Sequence, residues 1–296
     1  MIPFTKMQGL GNDYIYIDAF NNHEILNHPD LPMLAKKWSN RHFAIGADGL
    51  IIIAPPDPPA KPADNSKNLP HLRMIMYNAD GSRGEMCGNG IRCVCKYAID
   101  HNLIPNKPET IIIQTDAGNM ILTYQLDKHG KVKTVTVDMG EPIFNPQQIG
   151  LNPDLLDTPQ LKNATHISMG NPHTIIFLNE NENLNDIPLK TIGPQIENHP
   201  AFKNRTNVHF VKIISRTELI MRTWERGSGI TLACGTGASA VCAAAVITNR
   251  TDRKVTIHLP GGDLQLHWNE KNNHLYMTGP ATESYQGTAD PTDLNQ

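Results

Sequence analysis

The two halves of this 296-residue chain resemble each other, and this internal repeat constrains the fold more than any other feature. The stretch "MIMYNADGSRGEMCGNGIRCVCKYAI" (74–99) aligns without gaps on "MRTWERGSGITLACGTGASAVCAAAV" (221–246), with seven of 26 positions identical. Two more pairs of stretches resemble each other: 9–18 with 168–177, and 110–122 with 254–266. The three pairs occur in the same order in both halves. Two copies are too few for a solenoid, so the repeat predicts two similar domains facing each other across a pseudo-twofold axis.

The first half is longer than the second between its shared segments. From Asn12 to Cys87 is 75 residues, whereas from Asn171 to Cys234 is 63 residues. The proline-rich stretch "PPDPPAKPADNSKNLP" (55–70) supplies the difference. Because Pro, Asn, Asp and Ser favour turns, we predict an exposed, irregular loop over this stretch.

Short runs of β-branched residues predict that each half consists mostly of strands. The runs, bounded by Gly, Pro or Asn, are "YIYID", "LIIIA", "MIMY", "TIIIQT", "TVTVDM", "TIIFL", "FVKII", "ELIMRTW" and "KVTIHL". After each Cys-Gly-x-Gly motif the apolar residues recur with a helical period instead: Ile91, Val94, Cys95, Ala98, then Ala238, Val241, Cys242, Ala245. We therefore predict one central helix in each half. The second helix is apolar on nearly every side, so strands should wrap it.

Cys87 and Cys234 occupy equivalent positions, just before or at the start of these helices. Asn89 and Thr236 stand where N-cap residues are expected. A helix N-terminus presents unpaired N–H groups and the positive end of the helix dipole, which lower a cysteine pKa and bind carboxylates. We therefore expect the helix starts to lower the pKa values of both thiols, and an anion held where the two helix starts converge would have one thiol on each face.

Two such thiols fit one reaction, which removes the proton α to a carboxylate and returns one from the opposite face. One cysteine as thiolate would take the proton while the other, as thiol, would give one, so that the stereocentre inverts. The N–H dipoles of both helices would stabilise the carbanionic transition state. The alternative is that these cysteines are small apolar core residues, which is the usual role of buried cysteine. We assign that core role to Cys93, Cys95 and Cys242.

Composition and motifs exclude several other classes of protein. A net charge of −3 argues against nucleic-acid or anionic-membrane partners, and no run of 18 apolar residues would span a membrane. Five cysteines do not form a disulfide framework, and the N-terminus lacks a secretory signal, so we expect a cytoplasmic protein with reduced thiols. The Cys and His spacing fits no metal site. "GLGNDY" lacks the third glycine of a dinucleotide-binding loop.

The segments "MQGLGNDYIYID", "YNADGSRGEMCGNGIRC", "SMGNPH" and "TWERGSGITLACGTGASA" resemble the signature segments of the diaminopimelate epimerases, which are pyridoxal-independent amino-acid epimerases. The resemblance runs from residue 4 to about 285. It implies an α/β (α+β) fold of two pseudo-symmetric domains, each a mixed or antiparallel sheet rolled around a central helix, with the active site in the cleft between them. We expect the first domain to comprise 1–136 with 280–296, and the second 137–279.

The resemblance also implies interconversion of LL- and meso-diaminopimelate without a cofactor or metal, by a homodimer. It places the catalytic pair on Cys87 and Cys234, and positions His173 and Glu225 near the reacting thiols, where they would modulate the thiol pKa values. The implied substrate contacts are Asn12, Asn78, Gly88, Asn89, Asn171, Asn207, Glu225, Arg226, Gly235 and Thr236.

Two positions depart from the family pattern. Gly49 replaces a glutamine of some members, and Ile230 stands at a usually acidic position, which bears on affinity and not on the reaction. Three other functions remain open. A proline racemase or hydroxyproline epimerase would not need Glu225-Arg226 to bind a distal amino-acid end. A thiol redox protein would cycle Cys87 and Cys234 through a disulfide, and a silent binding module would retain affinity without exchange at the α-carbon.

Overall fold

Strands and a long buried helix follow each other in the same order in both halves of the chain. The structure is a computed structural model that describes residues 1–58 and 69–292. The strands are β1 (Ile2–Gly9), β2 (Asn12–Asp18), β3 (Gly49–Ala54), β4 (Leu72–Asn78), β5 (Arg83–Gly84), β6 (Thr110–Thr115), β7 (Gly118–Leu126), β8 (Val132–Asp138), β9 (Thr165–Ser168), β10 (Pro172–Phe177), β11 (Asn207–Ser215), β12 (Glu218–Glu225), β13 (Gly229–Thr231), β14 (Lys254–Leu259), β15 (Gly262–Trp268), β16 (Leu275–Pro280) and β17 (Thr282–Ala289). The helices are α1 (Leu31–Trp38), α2 (Gly88–Asp100), α3 (Pro146–Ile149), α4 (Pro159–Asn163), α5 (Leu189–Glu197) and α6 (Gly235–Ile247).

The chain divides into two compact units, Met1–Val137 with Gly279–Gln296, and Asp138–Thr278. In the first unit β2 pairs parallel with β3, β3 antiparallel with β4, β4 parallel with β6, and β6 and β7 antiparallel with their successors. In the second unit β10, β11, β12, β14, β15 and β16 repeat this pattern of parallel and antiparallel pairs. The shared pairing confirms the predicted α/β fold class with a mixed sheet in each half.

Both central helices lie in the core of their own unit. In α6, Gly235 and every residue from Gly237 to Ala245 are buried, so the prediction that strands wrap this helix is confirmed. Helix α2 is buried over most of its length as well, and it buries one charged residue, Arg92, completely. The Arg92 guanidinium donates to the carbonyl oxygens of Gly88 and Pro280, which compensates part of the cost of its burial.

The predicted N-caps are wrong by two residues. Cys87 and Cys234 themselves are the N-cap residues, with extended backbone conformations, while Asn89 and Thr236 lie inside the first turn. The carbonyl of Cys87 accepts the first intrahelical bond from Ile91 N–H at 2.8 Å. A glycine directly after each cysteine takes up the helical conformation at once, so the thiol and not the asparagine or threonine stands at the helix start.

All nine predicted strands are present, but several elements were not predicted. These are mainly β1, β17, α1 and α5. The two strands carry no long run of β-branched residues, and the two helices are partly exposed. The predicted loop over 55–70 falls partly outside the described residues, since 59–68 are among those the structure does not describe.

Candidate active site

Cys87 lies at the centre of a small polar cluster in the first unit. Its thiol donates to Asn12 Oδ1 at 3.2 Å and accepts from Gly90 N–H at 3.4 Å, and it is half-buried. Asn12 Nδ2 in turn donates to Asp48 Oδ2 at 2.8 Å, which fixes the amide oxygen toward the sulfur. The hydroxyl of Tyr14 is also in this cluster, where burial and then the adjacent Cys87 raise its pKa well above the ordinary value.

Cys234 has a different environment at the equivalent position of the second unit. It is 4% exposed, and its sulfur lies 3.7 Å from Thr236 Oγ1. Burial raises the pKa of this thiol well above the ordinary value, and the charge of Glu225 and a hydrogen bond to it raise the pKa further. The Gly237 N–H and the Thr236 hydroxyl act in the opposite direction but do not outweigh these effects. The expectation that the helix start lowers the thiol pKa is therefore wrong for Cys234.

Glu225 and Arg226 are held in place by hydrogen bonds to their neighbours in the second unit. Asn207, which is buried, accepts from Arg226 N–H at 2.9 Å and donates through Nδ2 to the carbonyl of Pro172 at 2.9 Å. Arg226 Nη1 donates to the carbonyl of Asn204 at 2.8 Å, and Glu225 Oε1 accepts from the Thr231 hydroxyl. Asn207 thus ties strand β10 to this turn.

Glu197, the last residue of α5, holds the same turn in place and was not predicted as a functional residue. Its side chain is 5% exposed. Its carboxylate accepts from Trp224 Nε1 at 2.6 Å, from Gly227 N–H at 2.9 Å and from Arg205 Nη1 at 2.8 Å. Three donors converging on one buried carboxylate lock the chain on both sides of Glu225-Arg226.

Replacing Glu197 with glutamine is expected to lower the free energy of unfolding by about 2–3 kcal/mol. The amide would turn an N–H toward either Trp224 Nε1 or Gly227 N–H and leave a buried donor unsatisfied. Urea denaturation measures the loss, and Glu218→Gln on an exposed strand residue is the matched control. Equal stability of the two variants would contradict this account of the Glu197 carboxylate.

A chain of buried polar side chains runs across strands β10, β11 and β12. His173 Nε2 lies 2.8 Å from Asn171 Oδ1, and His173 Nδ1 lies 2.9 Å from His209 Nε2. His209 Nδ1 lies 3.0 Å from Thr223 Oγ1. Both rings are completely buried. Burial lowers the pKa of His209 to about 3, and burial, His209 and Arg226 lower the pKa of His173 well below its ordinary value, so both are neutral at pH 7.

His209 makes the protein sensitive to acid. In the unfolded chain it protonates near pH 6.5, whereas in the folded chain it resists protonation until about pH 3. The unfolded state therefore binds the proton first, and stability falls as the pH drops below 6.5, by about 1.4 kcal/mol per pH unit from this residue alone. Urea unfolding at pH 6.5 and pH 4.5 should show this slope. His209→Ile should remove its share of the slope, and an unchanged slope in that variant would contradict the assignment.

A cavity of about 370 Å³ opens beside this chain in the second unit. None of the described residues that line it is a carboxylate, while Lys203, Arg205 and Arg226 supply three cations. The other lining residues are Gln148, Ile149, Ser168, Gly170, Asn171, Pro172 and Asn204. An open cavity with this lining suits an anionic group of a ligand.

The remaining predicted site residues lie in the first turns of the two helices or, for Asn78, at the end of β4. Gly88 and Asn89 are buried in the first turn of α2, as Gly235 is in that of α6, and Asn78 Nδ2 donates to Ser82 Oγ at 2.9 Å. At Gly49 a Cβ atom would lie 2.2 Å from the carbonyl oxygen of Tyr77, so the glutamine of some family members could not stand there without a backbone shift. Ile230 is 42% exposed.

The other three cysteines belong to the core, as predicted. Cys93, Cys95 and Cys242 are completely buried, and burial raises their pKa values to about 11, 12 and 12. Throughout the described ranges, no group of three or more His, Cys, Asp and Glu side chains could hold a metal ion. No helix in the described part of the chain is long and apolar enough to cross a membrane.

Sequence comparison places known proteins alongside nearly the whole chain. The family profile described as "Diaminopimelate epimerase" matches residues 4–145 and 165–283. The diaminopimelate epimerase of Acetivibrio thermocellus is 47% identical over 300 residues, covering 98% of this chain and 99% of that protein. Those of Desulfovibrio desulfuricans and Methanococcus maripaludis are 45% and 44% identical, and cover 97% and 98% of this chain and 97% and 100% of their own lengths.

Solved structures share the fold at low sequence identity. A phenazine biosynthesis protein of the PhzF family from Bacillus anthracis matches with a TM-score of 0.67 and 14% identity, over 97% of this chain and 98% of that chain. A probable proline racemase from Agrobacterium radiobacter matches with a TM-score of 0.67 and 14% identity, over 99% of this chain and 94% of that chain. At these identities the structural matches establish the fold alone.

Proposed function

This chain belongs to the diaminopimelate epimerase family, and on that premise we propose that it interconverts LL- and meso-diaminopimelate with Cys87 and Cys234 as its acid and base. It is an isomerase, because relatives bearing that name match it at up to 47% identity over nearly their whole length. The observation that carries the assignment of the cysteines is their equivalent placement, each as the N-cap of the buried helix of its own unit.

The proposed reaction moves two protons. One thiolate takes the proton from the α-carbon and becomes a thiol, which leaves the electron pair on the α-carbon and its carboxylate. The other thiol then gives its proton to the opposite face and becomes a thiolate, so the configuration inverts and a solvent-derived hydrogen enters. Because burial and Glu225 keep Cys234 protonated, we propose that Cys234 starts as the acid, and that Cys87 becomes the base once it has lost the hydrogen that it donates to Asn12 Oδ1.

The helix starts supply the electrostatic part of the proposal. The N–H groups of Gly88, Asn89, Gly235 and Thr236 would donate to the reacting carboxylate, whose negative charge grows as the proton leaves. The N–H groups of Gly90 and Gly237 bind the thiols instead. Asn12, Asn78, Asn89 and Thr236 would hold the same end of the substrate. The N–H groups are preorganised by the helices, so they need no rearrangement during the reaction.

The other end of diaminopimelate also carries a carboxylate and an ammonium group, and the second unit offers partners for both. The cationic cavity that includes Arg226 and Asn171 would take the distal carboxylate, with Asn207 holding Arg226 in place through its backbone N–H. Glu225 would face the distal ammonium group. We further propose that the enzyme works as a homodimer in the cytoplasm, which light scattering on the purified protein and localisation of a tagged chain would test.

Solvent exchange tests the proposal directly. The reduced protein is incubated with LL-diaminopimelate in D₂O, and the α-protons are followed by NMR. Deuterium uptake with formation of the meso isomer would support both the substrate and the mechanism. Exchange with proline or hydroxyproline but not with diaminopimelate would keep the chemistry and reject the substrate. Silence with all three would indicate a redox or binding role for the cysteines instead.

A further inference from the structure

We propose that His209 is a positioning residue that fixes the proton on His173 and thereby turns the Asn171 amide so that its NH₂ group, and not its oxygen, is available to the substrate. This inference rests on the proposed function for its substrate but on the structure for its geometry. The four side chains Asn171, His173, His209 and Thr223 form one continuous chain with separations of 2.8, 2.9 and 3.0 Å.

The direction of the chain follows from what each atom can do. Asn171 Oδ1 can only accept, so His173 Nε2 must carry the hydrogen. A neutral imidazole carries one hydrogen, so His173 Nδ1 is bare and must accept from His209 Nε2–H. His209 Nδ1 is then bare in turn and accepts from the hydroxyl of Thr223. Every hydrogen bond points from Thr223 toward Asn171, with both histidines in the Nε2–H tautomer.

The direction of these hydrogen bonds matters for the ligand, because it determines whether His173 binds the oxygen or the NH₂ group of the Asn171 amide. With its oxygen bound to His173, Asn171 is left with two N–H donors, and this residue lines the cavity that holds Arg226, Arg205 and Lys203. Arg205 is already paired with the Glu197 carboxylate, so the two donors of Asn171 beside the cations of Lys203 and Arg226 are what favours a carboxylate. The opposite chain direction would bind the NH₂ end and leave the oxygen, which repels a carboxylate.

The histidine is not demanded by packing, as the repeat itself demonstrates. A Cβ atom on Gly237 would lie 2.3 Å from His209 Cε1, and one on the equivalent Gly90 would lie 2.8 Å from Ile51 Cδ1. Strand register makes Ile51 the counterpart of His209, since Ile51 pairs with Tyr16 and His209 with Ile175. The first unit therefore fills the same place beneath its helix with an isoleucine.

The first unit fixes its own asparagine by another device. Asn12, the counterpart of Asn171, donates to Asp48 and accepts from the thiol of Cys87. Tyr14 stands where the second unit has His173, so no pair of imidazoles is present there. The histidine chain is thus an addition to the second unit, on the side that carries the cationic cavity.

The first test reads the tautomers of the full-length protein by long-range ¹H–¹⁵N NMR with ¹⁵N-labelled histidine. We expect both His173 and His209 as the Nε2–H tautomer at pH 7, unchanged to pH 5, with assignments from His173→Asn and His209→Ile. An Nδ1–H tautomer or an imidazolium at either position would overturn the proposal. This readout needs no substrate, so it stands even if diaminopimelate is not the substrate.

The second test is the consequence for binding. His209→Ile copies the first unit, so it should keep the fold, release the fixed tautomer of His173 and raise KM for diaminopimelate by about tenfold, with a smaller change in kcat. His166 lies on a neighbouring strand and is not part of this series of hydrogen-bonded side chains, so His166→Gln is the matched control and should leave KM unchanged. A folded His209→Ile with unchanged KM would overturn the positioning role, whereas loss of kcat alone would assign His209 to the chemistry instead.

Discussion

Replacing either Cys87 or Cys234 with alanine is expected to lower kcat for epimerisation by about a thousandfold or more, because each variant lacks the group that gives or takes one of the two protons. The groups around Cys87 include Asn12, a backbone N–H and the weakly acidic Tyr14, none of which matches a thiol as a base. Beside Cys234 the Glu225 carboxylate remains, so the loss should be more complete in Cys87→Ala. Coupled assays with LL- and meso-diaminopimelate measure the loss in both directions.

The single variants should still differ from a protein with no thiol at all. Cys234→Ala keeps the thiol of Cys87 and should exchange the α-hydrogen of one configuration with D₂O without inverting it, and Cys87→Ala should do so for the other configuration. Cys95→Ala and Cys242→Ala are matched controls, since these thiols occupy equivalent core positions in the two helices. Full epimerisation by either single variant would contradict the two-base mechanism.

The repeat explains why much of this fold could be predicted from the sequence. Buried strands such as β3 and β6 consist almost entirely of β-branched and apolar residues, and the helical period after each Cys-Gly-x-Gly is unbroken. Strands β1 and β17 were missed because they pair with each other from the two ends of the chain, from Ile2↔Ala289 onward. Most of β17 is exposed, so it carries no alternating pattern that local reasoning could use.

The sequence predicted site residues mainly where the same motif occurs in both halves. The two cysteines stand out because the duplication places both at helix starts, but Glu197 and His209 have no such signal in the sequence. Their importance comes from partners such as Trp224, 27 residues from Glu197, and His173, 36 residues from His209. The pKa of Cys234 was predicted in the wrong direction for a related reason. The helix dipole is a local feature of sequence, whereas burial and the approach of Glu225 are products of the tertiary fold.

Replacing Glu225 with glutamine is expected to lower the pKa of Cys234, because the nearby negative charge and its hydrogen bond to the thiol disappear while burial stays the same. Each unit of lowered pKa raises the thiolate fraction about tenfold below that pKa. In the Cys87→Ala background, alkylation of Cys234 by iodoacetamide at pH 8 should therefore speed up about tenfold or more. Glutamine has nearly the shape of glutamate, so we expect equal access of the reagent to Cys234 in both proteins, and the ratio of rates then reports ionisation.

Glu225→Gln should also shift the alkaline limb of the pH dependence of kcat to lower pH. Cys234 acts as the acid only while protonated, so a lower pKa shifts the alkaline limb of kcat to lower pH in the Glu225→Gln single variant. Glu218→Gln, an exposed position on the same strand β12, should leave both the alkylation rate and the profile unchanged. If Glu225→Gln alkylates no faster than its parent, burial alone holds the Cys234 thiol protonated and the carboxylate serves only the distal ammonium group of the substrate.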